Sequence, residues 1–351
     1  MKNIYKPFQN GVTGVLNIDW SLRVEEPLVI RNGSKAAFRT DAQKVSKGRG
    51  SSPQMRWQNA RSLISGSQSD FSEIADFNYH FRIDGEQVLC EYSIPASSIR
   101  GAMRNQAIRR NVEIEKRSVF SLPNKENTDL AEIEARINAA RAELADRRSG
   151  WSKVLSLFGA AFELDESQQN PLTWAGRLSL QTSLPPDRTS RHSHVSFWGQ
   201  NVNAPDNPAG PAFNVGQRSP LDCITQSAKT SGGGLHAWLE LAKGETFNLN
   251  MRLLNPCNQD IQLLSMWRAE IDSGFLSFGG LQSVGKGEAS LQGETYKLHL
   301  SKTSPVADEL LKVISNEQES DDALFNGIWL GGELPSFQAL QSLNLDAENQ
   351  N

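Results

Sequence analysis

Four glycines within nine residues, at positions 279, 280, 285 and 287 of the segment GGLQSVGKGEASL, constrain the fold of this chain more than any other feature. From Gly280 the order glycine, four residues, glycine, lysine is that of a Walker A phosphate-binding loop. Such a loop requires Ser or Thr after the lysine, to bind magnesium, and a helix directly behind it. Here Gly287 follows the lysine, and the next residues, EASLQGETYKLHL, alternate in polarity, which predicts a strand. A dinucleotide-binding GxGxxG motif fails as well, because Ser290 stands at its third glycine.

Two interpretations of this loop stay open at this point. It is either a tight hairpin without a ligand, or a loop whose glycines let the backbone of another chain approach closely. In the second case Lys286 supplies a cation, and a sugar–phosphate backbone is a natural ligand.

Composition limits where such a site can lie. The chain has 36 basic and 40 acidic residues, a net charge of −4, so a nucleic-acid site must be local. Its 351 residues fit two domains, or one domain with large insertions. The three cysteines are far apart and form no CxxC pair, so neither a disulfide framework nor a zinc ribbon is supported. We expect no metal and no cofactor.

The segment MKNIYKPFQNGVTG lacks the apolar core of a signal peptide. No stretch approaches the roughly 18 apolar residues of a membrane span. We therefore expect a cytoplasmic protein without a membrane partner, in a reducing compartment that suits its unpaired cysteines.

Periodicity predicts a mixture of strands and helices. Alternating polarity predicts strands in the ranges 14–30, 77–83, 87–94, 177–184 and 246–255. Helices are predicted over 128–148 and 259–273 and near Asp308, and the sequence beyond residue 300 otherwise loses its pattern. Residues 35–66 carry seven Lys and Arg side chains against Asp41 alone, so we expect a long basic loop or hairpin there.

The segment IPASSIRGAMRNQAIRRNVEIEK predicts a helix with one buried and one cationic face. Either Ser97 or Ser98 can cap its N-terminus. Its apolar positions recur at helical spacing: Ile99, Met103, Ala107 and Ile108. Four arginines lie off or beside that stripe: Arg100, Arg104, Arg109 and Arg110.

Six stretches follow one another in the order of the motifs of one known superfamily. They are IPASSIRGAMR (94–104), LFGAAFE (157–163), GRLSLQTSL (176–184), RHSHVSFW (191–198), LAKGETFNLNMRLLN (241–255) and FGGLQSVGKGEASL (278–291). Together they resemble the CRISPR-associated RAMP superfamily, whose helix entry matches the first stretch and whose C-terminal glycine-rich loop matches the last. The specific resemblance is to the backbone subunits of class 1 effector complexes. It is type IV-like, with similarity to the type III backbone subunit.

The resemblance implies an α+β fold, an RRM-like ferredoxin core of βαββαβ type (the RAMP fold) with large insertions that form palm-like and thumb-like elements. It places one such domain over 1–300, with insertions at about 35–76, 118–152 and 185–235. A C-terminal extension of uncertain structure then covers 301–351.

The resemblance also implies a function. The chain would be a non-catalytic, guide-RNA-binding backbone subunit that forms a filament with copies of itself along the CRISPR guide RNA. It would present that guide for pairing with target DNA or RNA, together with other effector-complex subunits. The implied RNA-binding residues are Ser97, Ser98, Arg100, Arg104, Gly279, Gly280, Gly285, Lys286, Gly287, Arg188, Arg191, His192, His194, Lys47 and Arg49.

Catalysis depends on one acid. Type III backbone subunits cleave target RNA with an Asp in the loop after the first strand, whereas this chain has Asn32, Gly33 and Ser34 there. The nearest acid is Asp41, which leaves metal-dependent target cleavage by Asp41 or another acid as the alternative. The pair His192 and His194 lacks a nearby third ligand for zinc, so we expect hydrogen-bond donors rather than a metal site. The other alternative is an unrelated β-rich protein that binds carbohydrate or protein.

Overall fold

The computed structural model describes residues 11–39, 71–84, 87–120, 130–146, 148–162, 172–184, 213–218, 236–314 and 329–346. The strands within these ranges are β1 (Gly14–Val24), β2 (Arg31–Arg39), β3 (Phe71–Phe77), β4 (Tyr79–Asp84), β5 (Gln87–Tyr92), β6 (Gly159–Phe162), β7 (Leu172–Ala175), β8 (Leu178–Ser183), β9 (Phe213–Arg218), β10 (His236–Leu241), β11 (Thr246–Leu254), β12 (Ala289–Ser301) and β13 (Trp329–Leu334). The α-helices are α1 (Ala96–Asn111), α2 (Leu130–Ala145), α3 (Gly150–Phe158), α4 (Asn258–Asp272), α5 (Ala307–Val313) and α6 (Phe337–Ser342).

The largest sheet has the strand order β13-β12-β1-β11-β8, and every neighbouring pair in it is antiparallel. If β13 is left aside, the chain enters this sheet at β1, continues through α1 to β8 and β11, and passes through α4 to β12. In chain order, the elements are therefore a strand, a helix, two strands, a helix and a strand. Strands β1 and β11 lie at the centre of the sheet.

The core lies on one face of this sheet because β1 alternates strictly. Its residues Leu16, Ile18, Trp20 and Leu22 are all at most 1% exposed, while the residues between them are partly exposed. Helices α1 and α4 pack against this apolar face, and α3 packs against α1. The indole Nε1 of Trp267 in α4 donates a hydrogen bond to the carbonyl of Met103 in α1, at 3.0 Å, and fixes the two helices to each other.

The opposite face of the sheet is polar. The carboxylate of Asp19 in β1 accepts a hydrogen bond from Asn250 Nδ2 in β11, at 2.7 Å, and one from the Thr295 hydroxyl in β12, at 3.3 Å. These residues stand opposite one another in the strand register.

A buried ion pair joins the start of β8 to the first turn of α4. The Arg177 guanidinium and the Asp260 carboxylate form two bonds of 2.6 and 2.7 Å, and both side chains are at most 2% exposed. Arg177 also donates to the carbonyl of Asn255, at 2.8 Å. Next to this pair, burial and the Asp260 charge raise the pKa of the Cys257 thiol to about 12, so Cys257 stays protonated at neutral pH.

A second sheet has the order β2-β3-β10-β9. Within it, Trp238 of β10 is 4% exposed and lies opposite Gly216 of β9. A Cβ atom at Gly216 would lie 2.4 Å from the Trp238 Nε1, so the indole occupies the space that any other residue would fill.

The α+β class is confirmed, and most predicted elements lie where the periodicity places them. The strands β4, β5, β8 and β11 and the helices α2, α4 and α5 lie within or close to their predicted ranges. The segment after the glycine loop is strand β12, as its alternation indicates. Residues 31–39 and 71–77 pair antiparallel, so the two ends of the basic segment form a hairpin, and residues 40–70 lie outside the described ranges.

Two details of the prediction are wrong. Neither Ser97 nor Ser98 caps α1, because the helix begins at Ala96, Pro95 is its N-cap, and no side chain accepts a hydrogen bond there. The strand predicted over 14–30 ends at Val24, and only Leu28 beyond it forms an isolated bridge, to Leu241. Lys35 and Arg39 belong to strand β2, which agrees with the hairpin alternative for the basic segment.

Candidate nucleic-acid interface

A surface groove of about 530 Å³ lies between helix α1 and the glycine loop, two motifs that are far apart in the sequence. Val29 and Ile30, at the end of the segment between β1 and β2, also line the groove. The groove is lined by Val29, Ile30, Arg31, Ser98, Gly101, Ala102, Asn105, Gly279, Gly280, Leu281 and Gln282.

Helix α1 presents one face to this groove because its other face is needed for the core. Ile99, Met103 and Ala107 are fully buried. The positions that line the groove follow the spacing i, i+3, i+4 and i+7 of a single helical stripe: Ser98, Gly101, Ala102 and Asn105. None of these four carries a charge, so the helix contributes small or amide side chains to the groove.

The N-terminus of α1 carries no negative charge of its own. No side chain caps it, and its first turn contains no acidic residue. The first amide groups of a helix lack intrahelical acceptors, and the helix dipole places partial positive charge on them. This end of α1 is therefore suited to an anion.

The glycine loop is fixed by backbone hydrogen bonds to the segment after β1. The amide of Gly280 donates to the carbonyl of Val29, at 2.7 Å, and the amide of Gly287 donates to the carbonyl of Pro27, at 3.1 Å. A short 3₁₀ turn, Gln282–Val284, lies between them and is preceded by Leu281 in the left-handed conformation, at φ 61°. The loop thus holds its shape without a ligand.

The loop glycines serve different purposes. A Cβ atom at Gly279 would lie 2.4 Å from the Val29 carbonyl oxygen, and one at Gly287 would lie 1.9 Å from that of Phe278. Gly285 has φ +77°, which favours glycine. These three glycines are therefore required by the fold itself.

Gly101 and Gly280, which face the groove from opposite walls, are not required in this way. A Cβ atom at Gly101 would meet no atom within 4 Å, and one at Gly280 would meet only the Val29 carbonyl oxygen, at 3.7 Å. A glycine inside a helix costs about 1 kcal/mol relative to alanine. The space in front of Gly101 is thus kept open at a cost that no internal contact explains, and that in front of Gly280 is open as well.

The two arginines expected from α1 lie beside the groove rather than in it. Arg100 donates through Nη2 to the Phe158 carbonyl at the end of α3, and its guanidinium lies 5.8 Å from the Phe158 ring centroid. The Nε of Arg104 is buried and has no hydrogen-bond partner among the described residues. Burial, and secondly the Arg100 charge, lower the pKa of Arg104. An anion beside these two guanidinium groups would relieve their repulsion.

Lys286 also has a partner within the protein. Its Nζ lies 3.2 Å from Oε1 of Glu240, and the lysine side chain is only 23% exposed. The loop cation named by the sequence is therefore already neutralised by a carboxylate.

The structure brings together three of the expected RNA-binding residues in the groove: Ser98, Gly279 and Gly280. Six others lie on the same two elements without lining it: Ser97, Arg100, Arg104, Gly285, Lys286 and Gly287. The remaining predicted residues lie outside the described ranges: Arg188, Arg191, His192, His194, Lys47, Arg49 and Asp41.

The sequence analysis missed three polar residues of the groove: Arg31, Asn105 and Gln282. Asn105 could have been found, because it lies seven residues after Ser98 on the same helical stripe. Arg31 could not, since its position depends on contact with Trp238, a residue of the same sheet that is far away in the sequence.

Two negative findings apply to the described ranges alone. No group of three or more His, Cys, Asp or Glu residues among them could hold a metal ion. No helix among them has both the length and the apolar character that a membrane span requires.

Comparison with known proteins gives distant structural likenesses, among them one to a chain of a CRISPR complex. No protein-family model matches the chain, and no curated protein matches it. Among solved structures, the chain is similar to a chain of a structure described as a Type IV-B CRISPR Complex, with a TM-score of 0.39 and 13% identity. The match covers 79% of this chain and 89% of that chain. A likeness of this degree does not assign a function, so the functional argument depends on the groove.

Proposed function

We propose that this protein is a non-catalytic backbone subunit of a type IV-like CRISPR effector complex, and that its groove binds the backbone of the guide RNA. The observation that carries the proposal is the groove itself. It combines the uncharged stripe of α1 that begins at Ser98 with two glycines that the fold does not require, Gly101 and Gly280.

The groove suits a sugar–phosphate backbone better than a compact ligand. Its wall along α1 runs from Ser98 to Asn105, which corresponds to about 10 Å at the rise of an α-helix. That length accommodates roughly three stacked nucleotides of one strand. The Ser98 hydroxyl and the side-chain amide of Asn105 can both contact phosphate and ribose oxygens.

Contacts to the backbone agree with the proposed role. A guide RNA carries a different sequence for every target, so a protein that binds all guides must contact the backbone and leave the bases free to pair. The described groove residues present no acidic side chain that would repel phosphates.

The proposed core is the RRM-like ferredoxin core of the RAMP fold. It is supported by the βαββαβ connectivity of β1, α1, β8, β11, α4 and β12, together with the strand order β12-β1-β11-β8. We further propose that copies of the chain assemble along one guide RNA with other effector subunits, and that the target, DNA or RNA, is engaged through pairing with the guide.

Nucleic-acid content after purification tests this proposal. The protein is expressed together with a CRISPR array, purified at low salt, and the RNA that copurifies is sequenced. A population of short RNAs with a shared repeat-derived end is expected. Protein free of nucleic acid under these conditions would contradict the proposal, and the groove would then be a feature of the fold without an RNA ligand.

A further inference from the structure

We infer that Arg31, rather than Lys286, is the cation of the groove that receives an RNA phosphate. The inference rests on the proposed function, which it deepens by naming the side chain that supplies the charge. It begins from position: Arg31 is exposed, stands at the start of β2, and lines the groove together with Ser98 and Gly280.

The Arg31 side chain is held in place by an aromatic ring. Its guanidinium carbon lies 5.4 Å from the centroid of the Trp238 ring, within the range of a cation–π contact. Stacking leaves the N–H groups at the edge of the guanidinium plane available, and a planar guanidinium can bind two phosphate oxygens at once. Arg31 is therefore oriented before any ligand arrives.

Trp238 is itself immobilised. Its Nε1 donates to Oε2 of Glu240, at 2.9 Å, and its ring fills the space beside Gly216. Only 4% of Trp238 is exposed. The arginine thus stacks on a buried surface rather than on a mobile side chain.

The carboxylate of Glu240 distinguishes Lys286 from Arg31. The other oxygen of Glu240 pairs with Lys286, at 3.2 Å, so this carboxylate neutralises the lysine and not the arginine. Among the described residues, no carboxylate forms an ion pair with Arg31. A phosphate in the groove would provide the counter-charge that Arg31 lacks.

Salt-dependent binding tests the assignment. The affinity of the full chain for a short, unstructured, fluorescent single-stranded RNA is measured between about 50 and 200 mM salt. For Arg31→Gln we expect about tenfold weaker binding, and a log K against log salt slope that is smaller by about 0.7, the value for one lost phosphate contact on a single strand. Arg31→Lys keeps the charge but not the planar stacking group, so its slope stays that of the wild type while its affinity falls.

The matched control is Arg252→Gln, which removes an exposed arginine of β11 on the opposite, polar face of the central sheet. Its slope and affinity are expected to equal those of the wild type. If the wild type binds RNA and Arg31→Gln behaves like Arg252→Gln, the assignment is wrong. A loss of slope in Lys286→Gln alone would overturn it in favour of the lysine. A wild type that binds no RNA would instead overturn the proposed function, and the assignment with it.

Discussion

At the scale of single residues, the fold does not require glycine at positions 101 and 280, whereas an RNA backbone in the groove would. Each leaves room for a Cβ atom, and neither has the positive φ that favours glycine at Gly279, Gly285 and Gly287. We expect Gly101→Ala to raise the free energy of unfolding by about 0.5–1 kcal/mol, because alanine is the better helix former. RNA affinity should nevertheless fall about tenfold, equivalent to ~1.4 kcal/mol, because the methyl group enters the space of the RNA backbone. Urea denaturation and RNA titration measure the two effects.

The same substitution elsewhere provides the control. Gly293 is exposed on β12, and a Cβ atom there would meet only Ser21, at 3.8 Å. Gly293→Ala should leave RNA binding unchanged, while Gly280→Ala should weaken it as Gly101→Ala does. Equal RNA affinity for all three variants and the wild type would show that no backbone passes close to these glycines.

The buried ion pair between Arg177 and Asp260 is a residue-scale feature on which stability depends strongly. Both side chains are almost completely buried, so removal of one leaves an uncompensated charge in the core. We expect Asp260→Ala to lower the free energy of unfolding by about 3–5 kcal/mol. Urea denaturation followed by circular dichroism measures the change.

An exposed pair of the same type is the comparison. Lys297 and Glu333 lie 3.7 Å apart and both are at least half exposed. Glu333→Ala should change stability by no more than about 1 kcal/mol, because water screens the pair. A similar loss in both variants would mean that burial does not determine the cost.

At the scale of elements, the C-terminal segment belongs to the core of the described structure. Strand β13 pairs with β12 along six residue pairs, Tyr296↔Leu334 to Ser301↔Trp329. From α6, Phe337 is 2% exposed, and its ring lies 5.3 Å from that of Tyr296. We expect Phe337→Ala to lower the free energy of unfolding by about 3–5 kcal/mol, through lost contacts and the cavity that remains. Chemical denaturation provides the measurement.

Phe275 supplies the matched aromatic control. It is 69% exposed at the end of α4. Phe275→Ala should alter stability by about 0.5 kcal/mol or less. If Phe337→Ala were equally mild, the C-terminal segment would be an addition that the core does not need.

The elements that the sequence predicts well are those whose own residues determine them. Strand β1 and helix α1 show their apolar periodicity without reference to the rest of the chain, and the alternation after Gly287 distinguishes β12 from a helix. Helix α6 has only six residues, too few to show a period, and β13 contains two consecutive glycines that weaken a strand pattern. Both are stabilised by contacts with β12 and α4, which no local pattern records.

The candidate site, too, is predictable where local residues define it and not where distant contacts do. The sequence identifies both walls of the groove, because the motifs at Ser98 and Gly280 can be recognised locally. It assigns the loop charge to Lys286, and it misses Arg31. The stacking of Arg31 on Trp238 arises only when the second sheet brings β2 and β10 together, and the pairing of Lys286 with Glu240 arises only when the glycine loop meets β10.

At the scale of the whole molecule, the net charge of −4 bears on the assembly that we propose along RNA. Copies of an acidic protein repel one another, although salt screens this repulsion beyond about 10 Å at 0.1 M. Binding of each copy to the same RNA replaces association in solution by association along one strand, at a much higher effective concentration. We therefore expect the chain to be monomeric without RNA. With RNAs of increasing length, native mass spectrometry should detect complexes whose protein mass grows in steps of 38.8 kDa, one protein per added binding site.

One bound copy at every RNA length would contradict the proposed filament while leaving the proposed guide binding intact. Large assemblies that form equally well without RNA would instead show that contacts between copies, rather than the guide, hold the subunits together.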